Sequence, residues 1–321
     1  VGKTTTTTSL AAAFAEKGQR VLLVDLDPQG SSSLFLGVDR ADFAPSIADV
    51  LLGNTPAREV VRETSVENLH LITASADLLH AEQSLGNLRS RERLLSKKLE
   101  PLRDSYDLIL IDCAPSLSLL PVNALVAADR FLVPTHAHFL ALEGIQNLLS
   151  AIDRANARNA SRAKLLGIVL TTVDYRVRVT RDNVERIRET FGDEVCAIEV
   201  RTNIRLAEAP EFGQTIFQYA PDSTGANAYR LLADELLMRL GRLESASTEP
   251  EVAAAAPSAE PVPVPEPEPA GERAPVREPM PATPLMPQRP AEPRAELDAG
   301  GEAEREESPI AWPWAVPLTT H

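Results

Sequence analysis

Short stretches of this 321-residue chain carry residue types suited to handling phosphate. The chain opens Val1-Gly2-Lys3-Thr4-Thr5, the closing part of a GxxxxGK[ST] loop. In such a loop glycine lets the backbone approach a phosphate, lysine neutralises its charge, and the Thr hydroxyl is a ligand for Mg2+. The amides that start the following helix point at the same anion. Gly-Lys-Thr alone is weak evidence, because it also opens ordinary helices. The run Thr4–Thr8 argues against that plain reading, since β-branched residues are poor helix starters. Two acidic positions follow: Asp25-Leu26-Asp27-Pro28-Gln29-Gly30 closes one apolar run, and Asp112-Cys113-Ala114-Pro115 closes another. A carboxylate at the end of a buried strand can face Mg2+ with apolar support behind it. Without Lys3 and Thr4, Asp112 would read as a simple strand-ending aspartate.

Holding these residues together requires a sheet. Apolar runs of strand length recur at 20–27, 68–74, 106–112, 130–135, 164–174 and 194–200. Most are continuously apolar, the pattern of parallel strands covered on both faces. Helical patterns lie between them: one from Gly2 to Gly18, one over 182–190, and one over 226–240 followed by Gly241. Strand–helix alternation predicts an α/β fold, a doubly wound and mostly parallel sheet flanked by helices, with ligands at the carboxyl ends of the strands.

Composition divides the chain near residue 243. The whole carries a formal charge of −14 and 26 prolines; residues 244–321 hold 17 of those prolines and a charge of −10. That segment has no Tyr, Phe or Ile before Ile310, so it cannot bury enough apolar surface to offset chain entropy. We therefore expect an ATPase-sized domain over 1–243 and a disordered, acidic, proline-rich tail over 244–321. Trp312 and Trp314 near its end suggest a short segment that docks a protein. No stretch reaches the roughly 18 apolar residues of a membrane span. Two cysteines, Cys113 and Cys196, build neither a disulfide framework nor a zinc cluster. With no signal peptide visible, a cytoplasmic protein is expected. The sequence starts with Val inside a motif, so a chain lacking its amino end, with the strand before the loop, is expected as well.

The segments GKTTTTTSLAAAFAEKGQRVLLVDLDPQGSSSLFLGV, YDLILIDCAPSLSLLPVNAL, ALEG and RTNIRLAEAPEFGQTIFQYAPDSTGANAYRLLADEL together resemble the ParA/Soj family of chromosome- and plasmid-partition ATPases. That family is a deviant-Walker-A branch of the P-loop NTPases, with MinD as a relative. The resemblance spans 1–243 and none of the tail. It implies that Gly2, Lys3, Thr4 and Thr5 end the P-loop, with Thr4 on Mg2+. It implies that Asp27 is the catalytic aspartate that positions the attacking water, assisted by Lys3, and that Asp112 holds Mg2+. Asn203 and Pro210 fall in the adenine-side segment. It further implies ATP and Mg2+ as cofactors, an ATP-dependent homodimer, nonspecific DNA binding at the nucleoid, and a ParB-like partner that stimulates slow hydrolysis.

The sequence departs from the family pattern in places. The signature lysine expected upstream of Val1 is absent, which would impair this chain as an ATPase. His136, His138, Phe139 and Leu140 replace the usual residues before ALEG, and Asp222-Ser223-Thr224 lacks the basic residues often found there. Two histidines without a third ligand are expected to face solvent rather than metal. With a near-neutral globular part, any DNA face must be local. Its candidates are Arg178, Arg181, Arg201 and Arg205, with Arg176, Arg186 and Arg188 nearby; the plain alternative pairs the helical arginines with Glu185 and Glu189. An acidic, proline-rich end is the wrong chemistry for a membrane-binding helix. The competing reading is an ATP-dependent ligase or amide synthase of the same superfamily, of the dethiobiotin or cobyrinic acid type.

Overall fold

The computed structural model describes residues 2–85, 90–114, 118–159, 161, 163–248 and 316–320. Its strands are β1 (Val21–Asp25), β2 (Val61–Glu63), β3 (Leu69–Ile72), β4 (Leu108–Asp112), β5 (Arg130–His136), β6 (Lys164–Val173), β7 (Val200–Arg201) and β8 (Val316–Thr320). The helices are α1 (Lys3–Glu16), α2 (Ser31–Phe35), α3 (Ile47–Leu52), α4 (Leu78–Leu85), α5 (Leu94–Leu99) and α6 (Leu119–Ala127). They continue with α7 (Ala141–Asn159), α8 (Arg178–Phe191), α9 (Ile204–Glu208), α10 (Ile216–Tyr219) and α11 (Thr224–Thr248). The strands form one sheet in the order β2-β3-β1-β4-β8-β5-β6-β7. Pairings β3-β1, β1-β4, β5-β6 and β6-β7 are parallel; β2 on the edge and β8 in the interior run antiparallel to their neighbours.

Both faces of the sheet are covered, which is why the strands read as unbroken apolar runs. Val21, Leu23, Leu108 and Leu110 pack with α1 and α11, including Phe14, Tyr229 and Leu236. Leu22, Val24, Ile109 and Ile111 alternate with them and pack on the opposite face with α3 to α6. Farther along, Phe131, Val133, Ile168 and Leu170 pack with Ile145 and Ile152 of α7 and Ile187 of α8.

Helix α1 forms in spite of its five threonines. The Thr7 and Thr8 hydroxyls donate back to the carbonyls of Lys3 and Thr4 at 3.0 and 2.8 Å, and residues 6–15 are all buried. Tertiary burial outweighs a propensity cost of a few tenths of a kcal/mol per residue. The apolar run 194–200 does not form the strand its composition suggests. A carboxylate on α11, Glu235, accepts the amides of Ala197 and Ile198 at 2.8 and 2.9 Å. This leaves a single bridge at Val195 and the two-residue β7. Helix α8 begins at Arg178 rather than 182, and α11 passes Gly241 and the expected boundary at 243 to reach Thr248. β8 is a further difference, because it is a core strand lying within the expected tail.

Candidate functional site

The carboxyl ends of β1 and β4 and the amino end of α1 meet at one place. Gly2 caps α1 in the left-handed region (φ 74°) and, being glycine, makes no side-chain cap bond to the first-turn amides, the groups of a helix start that suit an anion. Asp112, the last residue of β4, is 1% exposed. Its carboxylate accepts the Ser32 hydroxyl at 2.7 Å and a hydrogen bond from the Thr4 side chain. Burial pushes its pKa up; the Ser32 and Thr4 hydrogen bonds oppose this, the charge of Asp27 adds to it, and the charge of Lys3 opposes it. Lys3, Thr4 and Asp27 therefore all act on Asp112 at the sheet's carboxyl edge.

Asp25 and Asp27 have different surroundings. Asp25 is fully buried and accepts the amide and the hydroxyl of Ser33, both at 2.8 Å, and the amide of Asp27 at 3.3 Å. Burial, followed by the charge of Asp112, raises its pKa. Asp27 is only half-buried; its side chain accepts the Gln29 amide at 2.9 Å and its carbonyl accepts the Gly30 amide at 2.8 Å. This tight turn leaves the Asp27 carboxylate near enough to Asp112 to act on its charge, while Asp25 anchors the chain behind it. Gly30 (φ +65°) is required in the turn, because a Cβ there would stand 2.3 Å from the Phe43 ring.

Oxygen donors of this type suit Mg2+, which takes one or two protein oxygens and completes its shell with phosphate and water. Thr4 and Asp112 are such a pair. Among the described residues no group of three or more His, Cys, Asp and Glu could hold a metal by itself. That includes His136 and His138. His138 is exposed and accepts the Leu140 amide at 3.2 Å, whereas His136 is half-buried and lies 3.3 Å from the Thr172 hydroxyl. Cys113, beside Asp112, is buried, and burial pushes its thiol pKa up.

Beside the α1 start lies a cleft of about 350 Å3 lined by Gly2, Thr5, Thr171, Thr172, Asn203 and Tyr229, among others. Asn203 caps α9 by accepting the Arg205 amide at 2.8 Å and donates to the Thr224 hydroxyl at 2.9 Å. The Tyr229 hydroxyl lies 3.1 Å from that of Thr6, which ties the cleft floor to α11. Thr172 adopts φ +54°, a costly conformation for a β-branched residue and one that concentrates at ligand sites. Pro210 does not line this cleft; it borders a separate crevice with Thr5, Thr8 and Gln214.

The arginine candidates separate. Arg181 and Arg201 line one groove of about 670 Å3 together with Arg176. There Arg201 lies over the Tyr175 ring at 5.4 Å, and Arg181 donates to the Tyr175 carbonyl at 2.9 Å. Arg205 pairs with Glu208 at 2.8 Å, and Arg178 is exposed at the first turn of α8. Arg188 pairs across to Glu199 at 2.7 Å rather than along its own helix. Sequence reasoning did not single out Ser32 and Ser33, although the Ser31-Ser32-Ser33 run directly after the Asp27 turn was a visible signal.

A mostly parallel sheet with lysine, threonine and paired aspartates at its carboxyl edge defines a P-loop nucleotide-binding protein. A family profile described as an AAA domain matches residues 1–165. The sporulation initiation inhibitor protein Soj of Bacillus subtilis is 39% identical over 236 residues, covering 74% of this chain and 93% of that one. The chromosome partitioning protein ParA of Myxococcus xanthus is 40% identical over 239 residues, covering 74% and 84%. Among solved structures, a cobyrinic acid a,c-diamide synthase from Mycobacterium smegmatis with bound ADP and magnesium superposes with a TM-score of 0.65. It shares 34% identity, over 75% of this chain and 90% of that one. The chain belongs to the ParA/Soj family of P-loop ATPases. Among the described residues no helix is long and apolar enough to cross a membrane.

Proposed function

We propose that this chain is a partition or positioning ATPase. It binds ATP with Mg2+, pairs with a second copy around the nucleotide, and holds DNA nonspecifically while paired. A ParB-like partner stimulates hydrolysis and ends the DNA-bound state, so that chromosome or plasmid cargo is moved. The observation that carries this reading is the convergence of Lys3, Thr4 and Asp27 on Asp112 at the sheet's carboxyl edge. In this reading Lys3 and the uncapped α1 amides bind the phosphates, and Asp27 orients the attacking water from its half-exposed turn. Thr4 and Asp112 hold the cation, which when bound supplies charge neutralisation at the phosphates. Asn203 and the Thr172 backbone border the cleft beside Gly2 that takes the base. Arg181 and Arg201, sharing one groove, are the strongest candidates for DNA phosphate contacts; Arg205 is held by Glu208 and is a weaker one. Trp312 and Trp314, expected to dock a protein, lie outside the described residues.

A second reading, an ATP-dependent amide synthase, draws on the 34% identity to the synthase structure. ATP turnover separates the two. A rise only when duplex DNA and a ParB-type protein are added together supports partition; a rise with cobyrinic acid and an amide donor alone moves the assignment to the synthase.

A further inference from the structure

Three arginines line the groove beyond the end of β6, and their surroundings divide them. Arg176 is taken by Asp174, whose two oxygens accept its Nε and Nη2 at 2.9 and 2.6 Å. Arg181 and Arg201 form no ion pair among the described residues. For Arg201 this needs a reason. Glu199 lies two positions before it, the spacing at which neighbours along a strand share a face, and Arg201 is exposed and free to turn.

Tyr175 keeps the two apart. Its hydroxyl donates to Glu199 Oε2 at 2.6 Å, and Arg188 of α8 donates to Oε1 at 2.7 Å. Each oxygen of this largely buried carboxylate therefore already has a partner. Burial, then the hydrogen bond to Glu199 and its charge, push the Tyr175 hydroxyl up to about 12, so it remains a donor near neutral pH. The ring of the same residue carries the Arg201 guanidinium at 5.4 Å, a contact that uses none of its N–H groups. The Tyr175 carbonyl accepts only the Nε of Arg181, at 2.9 Å. One residue thus touches both arginines with different atoms.

We propose that Tyr175 is the positioning residue of this groove: its hydroxyl occupies Glu199 and its ring holds Arg201, so that the guanidinium stays free for a DNA phosphate. The proposal rests on the reading of Arg181 and Arg201 as the DNA face. Without the hydroxyl, a Glu199 oxygen loses its partner beside Arg201, and a charge-assisted pair outcompetes an exposed cation–π contact. Arg201 then neutralises a carboxylate instead of a phosphate. Arg181 is unaffected, because a backbone carbonyl holds it.

Binding to two duplexes of unrelated sequence, measured against salt with ATP and Mg2+ present, tests this. Tyr175→Phe should weaken binding about tenfold at about 0.1 M salt and cut the salt slope by about 1, the loss of one phosphate contact. Arg201→Ala should lose the same amount, and the two changes together no more than either alone. Added to Arg181→Ala, Tyr175→Phe should instead remove a second contact. Glu199→Gln should restore binding to the Tyr175→Phe protein, because a neutral amide does not hold a guanidinium as a carboxylate does. Without DNA, the Arg201 Nε–H resonance should shift and exchange more slowly in Tyr175→Phe, while that of Arg181 is unchanged. Wild-type binding by Tyr175→Phe beside a weakened Arg201→Ala would overturn the role of Tyr175 and leave the DNA face standing. Full additivity of those two changes, a failed rescue by Glu199→Gln or an unmoved Arg201 resonance would do the same. If Arg201→Ala itself bound DNA as the wild type does, the DNA-face reading would fail and this proposal with it.

Discussion

Replacing Gly37 with alanine should weaken the fold and the site together. Gly37 has φ +79°, and a Cβ on it would lie 2.9 Å from the Gly213 carbonyl oxygen. Gly213 (φ +61°) returns the contact: its own Cβ would lie 2.8 Å from the Gly37 Cα. These obstacles are backbone atoms, so no side chain can swing aside to make room. The contact joins the end of α2, beyond the Asp27 turn, to the 3-10 turn Ala209–Phe212 that follows α9. Holding a non-glycine residue in the left-handed region costs about 1–2 kcal/mol, and forcing a methyl into filled space costs about 1–3 more; the stiffer unfolded chain returns about 0.4–1. The net expectation is a loss of about 1–4.6 kcal/mol. Gly18→Ala supplies the control, because Gly18 has φ +82° with nothing within 4 Å of a Cβ. It should lose no more than about 1.5 kcal/mol, the conformational part alone. Urea unfolding of both variants at constant slope measures the difference directly. Equal losses in the two variants would show that the Gly37–Gly213 contact carries no packing constraint, and the reasoning would fail.

Asp27→Ala, made in a chain with a complete phosphate loop, should bind ATP with unchanged affinity and lose turnover; normal turnover would remove Asp27 from the chemistry. Tyr229→Phe leaves the buried Thr6 hydroxyl without its 3.1 Å partner, and calorimetry should record a loss of about 1–3 kcal/mol. His136 is held down to about 4 by burial and then by nearby positive charge, His138 included. Its folded form thus takes up a proton only near pH 4 and the unfolded form near pH 6.5, so stability falls as pH drops through that window. His136→Gln should flatten the fall in melting temperature between pH 6.5 and 5, and an unchanged slope would exclude His136 as its source. Arg181→Ala and Arg201→Ala should each weaken binding to unrelated DNA sequences alike and reduce the salt slope by about 1; wild-type slopes would place the DNA face elsewhere.

Much of this fold can be read in the sequence because burial on two faces leaves unbroken apolar runs; β1, β3, β4 and β6 each fall within one, and β5 runs one residue past its own. The carboxylates closing β1 and β4 are visible for the same reason, as polar residues directly after buried strands. What sequence could not show depends on partners distant in the chain. The 194–200 run is diverted from the sheet by Glu235, nearly forty positions on. β8 pairs with strands about two hundred residues earlier and contains a proline that argues against any interior strand. Thr4–Thr8 show the opposite case, residues poor for a helix that are held in one by hydroxyl back-bonds and a buried face.

Helix α2 is five residues long, far below the dozen or so at which a peptide helix persists unaided. Its consecutive residues Ser32 and Ser33 each grip a different aspartate, one at the tip of β4 and one at the tip of β1. The amide of Ser33 also ends on Asp25, so a residue outside the helix neutralises part of its exposed amino end. Order in this segment is accordingly a property of two strand ends acting jointly, and any event that alters either carboxylate unwinds or resets the same short coil.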